Sequence, residues 1–497
     1  MAEAVISPGE ISLNSVRYAI SGPVRRSLAS VFPEKTVIGD YTKDSSPNLS
    51  TLALSDHRGG IGQDIYNGDG SDGPANRSWY STADLRYNGH LILPPLVTNT
   101  GGLPAGLTDH WRLVAYQGTI YASMDATTNG IYGYTPGSDT WGANLLAATS
   151  SWFSGRWDIG NLNGVPYLVI GEGGTYSYLT GTTWAQRTAT STGGFMAIWN
   201  DRIWGISPST PYQLWYTFTP GSAETILRGT PLSIPSVKVG QLFVARDTNG
   251  EKILYLALPT GLYAYDVDND EWTATSLQIP DNAGAALSNF ASGVVWRDDI
   301  YFATRSSVFK YSISGNQAVI TPIGPDRDGG LPTAKGFIVM NIVPSLNDLI
   351  ISAKGYVGDN KTSVILAWNG QGWRVLYEAP GNDEEFLLLV AGIAGTVPAG
   401  YRLWFSNKTT SPFNISYLPL PSDLVNPNRI TAYTYAAAAT HDWPWFTAGQ
   451  SDVTKVGVRV KVETLNPTTS ETVKVYYAIN RSSAFQLMTN STFTTGI

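Results

Sequence analysis

A chain of 497 residues carries 32 Lys and Arg against 39 Asp and Glu, a net charge of −7, and only 14% charged residues, where an average globular chain has about 25%. That balance argues against a broad phosphate-binding surface and so against sequence-specific nucleic-acid binding. The absence of Cys removes disulfides, thiolate metal sites and Cys nucleophiles together, so hydrogen-bonded sheets and packing must hold the fold.

Residues 1–104 form an extended N-terminal segment, a docking region with few repeats. Its start, Met-Ala-Glu-Ala-Val-Ile-Ser-Pro-Gly-Glu10, has neither a charged n-region nor an apolar h-region, and no later window approaches 18 uninterrupted apolar residues. Neither Sec export nor membrane insertion is expected. Val16-Arg-Tyr-Ala-Ile20 predicts a strand, and Pro23 to Phe32 a short helix with Val24, Leu28 and Val31 on one face. Such a segment docks either on a neighbouring subunit or across its own domain. Arg58-Gly-Gly-Ile-Gly62 lacks the Lys-Ser/Thr pair of a phosphate loop and reads as a flexible loop. Asn67-Gly-Asp-Gly-Ser-Asp72 spaces oxygen ligands in the manner of an EF-hand. However, Asp72 stands where the loop needs Gly and Ser78 where it needs a bidentate Glu, so a solvated turn is the better reading.

From 105 to 427 a loose repeat of roughly 45 residues dominates, in which an aromatic pair at i and i+2 is followed by a Trp. Tyr132/Tyr134 precede Trp141, Tyr176/Tyr178 precede Trp184, Tyr263/Tyr265 precede Trp272, and Leu366/Trp368 precede Trp373. Leu214/Tyr216, Phe309/Tyr311 and Ile415/Tyr417 fill the gaps, giving units whose second members fall at 134, 178, 216, 265, 311, 368 and 417. Segments such as Ile253-Leu-Tyr-Leu-Ala-Leu258 alternate with period two between Gly, Asp and Asn turn signals, which marks short strands. A repeat of this length made of strands predicts a seven-bladed β-propeller. Each Trp is expected to wedge between adjacent twisted blades, burying on the order of 200 Å². Tyr265-Asp266 leading to Trp272, and Gly173-Gly174 ahead of Tyr176, Tyr178 and Trp184, resemble the end of a kelch repeat.

Catalytic chemistry leaves little trace. The four His (57, 90, 110 and 441) lie far apart in sequence without a metal-ligand motif, and no metal or cofactor is expected. Asp298/Asp299 and Glu384/Glu385 sit beside strand starts and read as solvated turns, although two carboxylates in a cleft would be needed for glycoside hydrolysis. Phe386-Leu-Leu-Leu-Val-Ala-Gly-Ile-Ala394 reads as a buried blade strand. Four turns combine aromatic and polar residues suited to a binding face: Tyr116-Gln117-Gly118, Trp199-Asn200-Asp-Arg202, Trp296-Arg297-Asp298-Asp299 and Asn369-Gly-Gln371-Gly372. The bland reading of all four is a hairpin with its aromatic packed beneath.

Residues 428–497 change pattern. Val456, Val458, Val460 and Val462 alternate with polar residues, followed by Val473, Val475 and Tyr477, which predicts a β-sandwich module. The chain stops at Thr494-Thr-Gly-Ile497 partway into a strand, so the natural protein is expected to continue. Trp443-Pro-Trp-Phe-Thr-Ala-Gly449 with the Val-x-Val-x-Val strand resembles the C-terminal part of virion-associated propeller proteins of tailed bacteriophages. The stretches Arg25-Arg-Ser-Leu28 to Gly62, and Asp84-Leu-Arg-Tyr-Asn-Gly-His-Leu-Ile-Leu-Pro-Pro95, resemble the same family.

That resemblance implies a non-enzymatic structural protein of the tail, neck or nozzle, located in the virion after folding in host cytoplasm. Its expected partners are other virion proteins and further copies of itself. A second reading is a receptor- or glycan-binding protein at the tail tip, acting on host surface glycan through the four turns. A propeller glycosidase or lyase is the third.

Overall fold

The computed structural model describes residues 10–13, 16–19, 57, 59–62, 78–86, 91–147, 157–171, 175–188, 195–206, 214–223, 225–226, 241–258, 260–269, 271–278, 292–303, 307–314, 317–325, 338–354, 362–381, 385–394, 400–408, 414–421, 433–443, 472–478 and 485–493. The expected helix at 23–32, the acidic turn at 67–72 and the valine strand at 456–462 lie outside them. Two compact units arise: residues 54–64 with 73–443, and residues 1–53, 65–72 and 444–497. Among the described residues every regular element is a strand, and no helix is long and apolar enough to cross a membrane.

The larger unit is a seven-bladed β-propeller. Seven four-stranded antiparallel sheets span residues 109–147, 157–188, 195–226, 241–278, 292–324, 338–378 and 385–419, the last completed by Thr98–Asn99. We number them blades 1 to 7. The first strands of successive blades adjoin one another, and that of blade 7, Glu385–Ile393, adjoins that of blade 1, Asp109–Tyr116, so the ring is closed. Each predicted aromatic pair lies on the third strand of its blade, including the weaker pairs at 214–216 and 309–311.

Packing follows from alternation. Because successive side chains leave opposite faces of a strand, every blade offers one apolar face to each neighbour. The core is accordingly divided among the seams: Leu254, Leu256 and Tyr265 of blade 4 meet Phe195, Trp204 and Ile206 of blade 3, and Phe386, Leu403 and Phe405 of blade 7 meet Ile350, Ile365 and Leu376 of blade 6. The repeated Trp sits at these seams as expected. Trp373 of blade 6 donates from Nε1 to the Ile323 carbonyl of blade 5 at 2.6 Å. Trp184 of blade 2 packs edge-on against Tyr121 of blade 1 at 5.5 Å, and Trp272 belongs to the blade 3–4 cluster.

The ring is shut by a chain segment that precedes blade 1. Thr98–Asn99 pairs antiparallel with Asn414–Pro419. The next residue, Thr100, donates from its backbone N–H (2.9 Å) and its hydroxyl (2.7 Å) to the Ile415 carbonyl of blade 7. Its hydroxyl oxygen accepts from Trp141 Nε1 of blade 1 at 3.0 Å. Gly101 N–H then reaches the Asp139 carbonyl at 3.0 Å.

Residues 57, 59–62, 78–86 and 433–443 add a strap along blade 6. Residues 59–62 differ from the flexible loop read in the sequence: they are buried, and Ile61 N–H donates to the Trp373 carbonyl at 2.7 Å. A Cβ at Gly60, whose φ is +78°, would overlap that carbonyl, so the glycines serve a close approach of two backbones. Asp84 is paired with Arg86, while Arg374 of blade 6 is paired with Asp348 and lies 3.9 Å from Asp84. All four side chains are largely removed from water. Burial pushes the Asp84 carboxyl up, but the Arg86 and Arg374 guanidiniums outweigh it and hold the group below the usual carboxylate range.

In the smaller unit the described residues form two hairpins. Glu10–Leu13 pairs with Val16–Ala19, in line with the strand expected at 16–20, and Val473–Tyr477 pairs with Gln486–Phe493.

Thr100→Val keeps the shape of the closing residue but leaves the Trp141 indole N–H without its acceptor in a buried seam. A loss of about 1–3 kcal/mol in urea unfolding is expected, against no more than about 0.5 kcal/mol for the exposed Gln371→Ala.

Candidate functional site

Antiparallel meander blades place the turns between strands one and two, and between strands three and four, on the same face of the ring. All four turns singled out in the sequence are of these kinds, in blades 1, 3, 5 and 6. Three are two-residue loops with left-handed φ at non-glycine positions: Gln117 (48°) ahead of Gly118 (76°), Asn200 and Asp201 (51° and 52°), and Arg297 and Asp298 (51° and 66°). Such turns match the twist of the strands they join.

The turns are not equally available. Tyr116 and Trp296 are buried, and Trp296 Nε1 donates to the Ser345 carbonyl of blade 6 at 3.0 Å. Arg297 folds back over the Trp296 ring at 4.2 Å and donates to the Asn347 carbonyl at 3.1 Å. Asp298 is exposed on its turn, and Asp299 pairs with Lys310 at 2.8 Å, so the two carboxylates do not converge. Asn369 Oδ1 accepts from the N–H groups of Gln371 (2.8 Å) and Gly372 (2.9 Å), and Gly372 lies against Gly59 of the strap. Gln371 itself is exposed.

The blade 3 turn is different, because it borders an open cleft of about 570 Å³ lined by Trp199, Asn200, Arg246, Gly250, Glu251 and Lys252. Trp199 is half-buried. Its carbonyl accepts from Trp204 Nε1 at 2.9 Å, and the two rings lie 5.6 Å apart. Asn200 is exposed, and Asp201 Oδ1 accepts from Asn163 N–H of blade 2 at 2.9 Å. Arg202 does not enter the cleft lining; its guanidinium lies over Tyr216 (4.5 Å) and Phe218 (4.6 Å). The opposite wall comes from blade 4. There Asp247 Oδ1 accepts from the N–H groups of Asn249 (2.9 Å) and Glu251 (2.8 Å), fixing the turn between Arg246 and Lys252, which face each other across the hairpin. The cleft therefore offers one aromatic ring, one amide, two cations and one carboxylate. Its blade 4 half carries no motif in the sequence; Asp247-Thr-Asn-Gly250 marks a turn but not what it faces.

Two polar sites elsewhere in the ring unit bear on its response to pH. His57 and His441, distant in sequence, meet with ring centroids 4.7 Å apart, and Trp443 closes on His441 at 4.8 Å. His441 Nδ1 and Ser81 Oγ are 3.0 Å apart, and Nε2 lies 3.5 Å from Ser78 Oγ. Burial, reinforced by His57, pushes His441 down to about 3. Among the described residues no group of three or more His, Cys, Asp or Glu is placed to hold a metal ion. Asp158, on the first strand of blade 2, accepts the Ile198 N–H of blade 3 at 2.6 Å, and burial pushes it up to about 7.

No protein-family model and no curated protein matches the chain. Solved structures match in fold. The extracellular domain of a hybrid two component system from B. thetaiotaomicron aligns over 65% of this chain at 12% identity and a TM-score of 0.42, and the match spans 39% of that domain's length. The Cps50 (Swd1) β-propeller domain of Myceliophteria thermophila aligns over 65% of this chain and 99% of its own, at 11% identity and 0.42. BamB from Moraxella catarrhalis aligns over 65% and 100%, at 12% and 0.36. These likenesses concern the fold alone.

Two pH dependences follow. Asp158 has a folded pKa above its unfolded value of about 3.9, so its contribution is complete below that value and is lost as pH rises through about 7. Asp158→Asn should therefore differ little from the parent at pH 4 and gain about 1–3 kcal/mol over it by pH 8 in thermal melts. His441 has its folded pKa below the unfolded value, so stability is present above about pH 6.5 and is lost as pH falls towards about 3. His441→Gln should flatten that acid limb of melting temperature against pH.

Proposed function

We propose that the chain is a non-enzymatic structural protein of a tailed-phage virion, in the tail, neck or nozzle, that assembles with other virion proteins and with copies of itself. In this reading the propeller is kelch-like and residues 428–497 belong to a β-sandwich module. The reading rests on the sequence resemblance in the two terminal regions, and one structural observation carries it further. Residues 1–53, 65–72 and 444–497 make up a compact unit of their own, and its hairpin of Val473–Tyr477 with Gln486–Phe493 exposes Tyr476 (52%), Leu487 (50%) and the adjoining Phe485 (57%). A two-stranded hairpin with apolar residues in water gains stability by covering them, and assembly would do so.

A second reading, glycan binding, is favoured by the blade 3–4 cleft. The third, glycoside hydrolysis, needs paired carboxylates, and Glu251 is the one carboxylate in that lining.

Light-scattering mass with negative-stain class averages on the purified chain tests the structural reading. A closed ring of subunits, or assembly on addition of tail proteins, is expected. A chain that stays monomeric with tail proteins present would overturn it.

A further inference from the structure

We propose that the cleft between blades 3 and 4 binds an acidic saccharide, with a sugar ring on Trp199 and its carboxylate on Arg246. This deepens the glycan-binding reading and rests on it. The cleft is built on strands rather than on long loops. Trp199 ends a strand whose partner begins at Arg202, and its ring packs at a tilt against Trp204, itself buried at the seam with blade 4. A half-buried indole packed against a fixed neighbour keeps part of its surface in the cleft without losing further side-chain freedom, which suits it to stacking on a sugar.

The facing wall is equally fixed. The Arg246 carbonyl accepts from the Tyr255 hydroxyl at 3.1 Å, and Asp247 ties the turn through Asn249 and Glu251. Gly250, at φ +85° with nothing within 4 Å of a Cβ position, keeps the rim low. The exposed Arg246 and Lys252 stand across the hairpin from each other and share the cleft lining with one anion, Glu251, while the Asp247 carboxylate is taken up by N–H groups of its own turn. A guanidinium pairs with a carboxylate through two parallel N–H donors, and Asn200 and Glu251 supply the donor and acceptor groups that sugar hydroxyls need.

A nucleotide would also offer a ring and an anion. Charge alone does not separate the two, because the cations attract a phosphate dianion as much more strongly as Glu251 repels it; Asn200 and Glu251 together supply donors and an acceptor suited to the several hydroxyls of a saccharide, which turns the balance to the acidic sugar.

The test is titration calorimetry of the whole chain with trigalacturonate, its fully methyl-esterified counterpart, sialyllactose and AMP. The variants are Arg246→Gln and Trp199→Ala, each checked by thermal melting. Binding of trigalacturonate or sialyllactose is expected, weakened about tenfold or more by Arg246→Gln and lost in Trp199→Ala, with the methyl ester about tenfold weaker than trigalacturonate. Arg246 is exposed, so its variant remains informative if Trp199→Ala fails to fold. Equal binding of acid and ester, or binding indifferent to Arg246→Gln, would overturn the acidic class and leave glycan binding standing. Failure of all three saccharides would remove both, and preference for AMP would replace the saccharide with a nucleotide.

Discussion

The closure at Thr100 is the constraint on which the ring depends. Six of the seven seams join blades that follow each other along the chain, and local contacts between them form at low entropic cost. The seventh must bring blade 7 to blade 1 across the whole repeat. Two residues of pairing at Thr98–Asn99 would be a weak clasp by themselves. The clasp is strengthened because Thr100 serves both sides, donating to the Ile415 carbonyl of blade 7 and accepting from the Trp141 indole of blade 1. Tyr134 of blade 1 also packs on Trp404 of blade 7 at 4.6 Å, so apolar burial accompanies the polar join. Residues ahead of the repeat are thereby part of the ring rather than an appendage to it.

The architecture was legible because its cause is local. Strand alternation and the recurring Trp are properties of a few consecutive residues. A Trp at the start of a fourth strand, as at 141, 184, 272 and 373, has only one apolar place to go, the seam with the preceding blade. What escaped the sequence was non-local. Thr98–Asn99 is too short to show a period, and residues 59–62 read as a loop because their burial comes from Trp373, not from their own composition. His57 and His441 carry no motif spacing, since the strap, not a single element, brings them together. The four candidate turns were visible as turns, but their availability was not. Trp296 and Trp199 occupy the same place in their blades, yet one is buried under the neighbouring turn of blade 6 and the other borders a cleft.

That difference between equivalent tryptophans has a geometric origin. In blade 5 the turn at Arg297-Asp298 leans onto blade 6, where the Ser345 and Asn347 carbonyls receive its N–H groups, and the gap between the blades is filled. In blade 3 the turn at Asn200-Asp201 leans the other way, through Asp201 to Asn163 of blade 2. Blade 4, meanwhile, satisfies its own turn internally through Asp247, so neither turn depends on the other for its hydrogen bonds. A cleft opens where two adjacent hairpins each find their hydrogen bonds elsewhere. A chain with only 14% charged residues thus acquires, at one seam, a polar recess with an indole on one wall and two cations on the other. Function on such a scaffold needs no change in the blades, only in how two neighbouring turns satisfy their backbone groups.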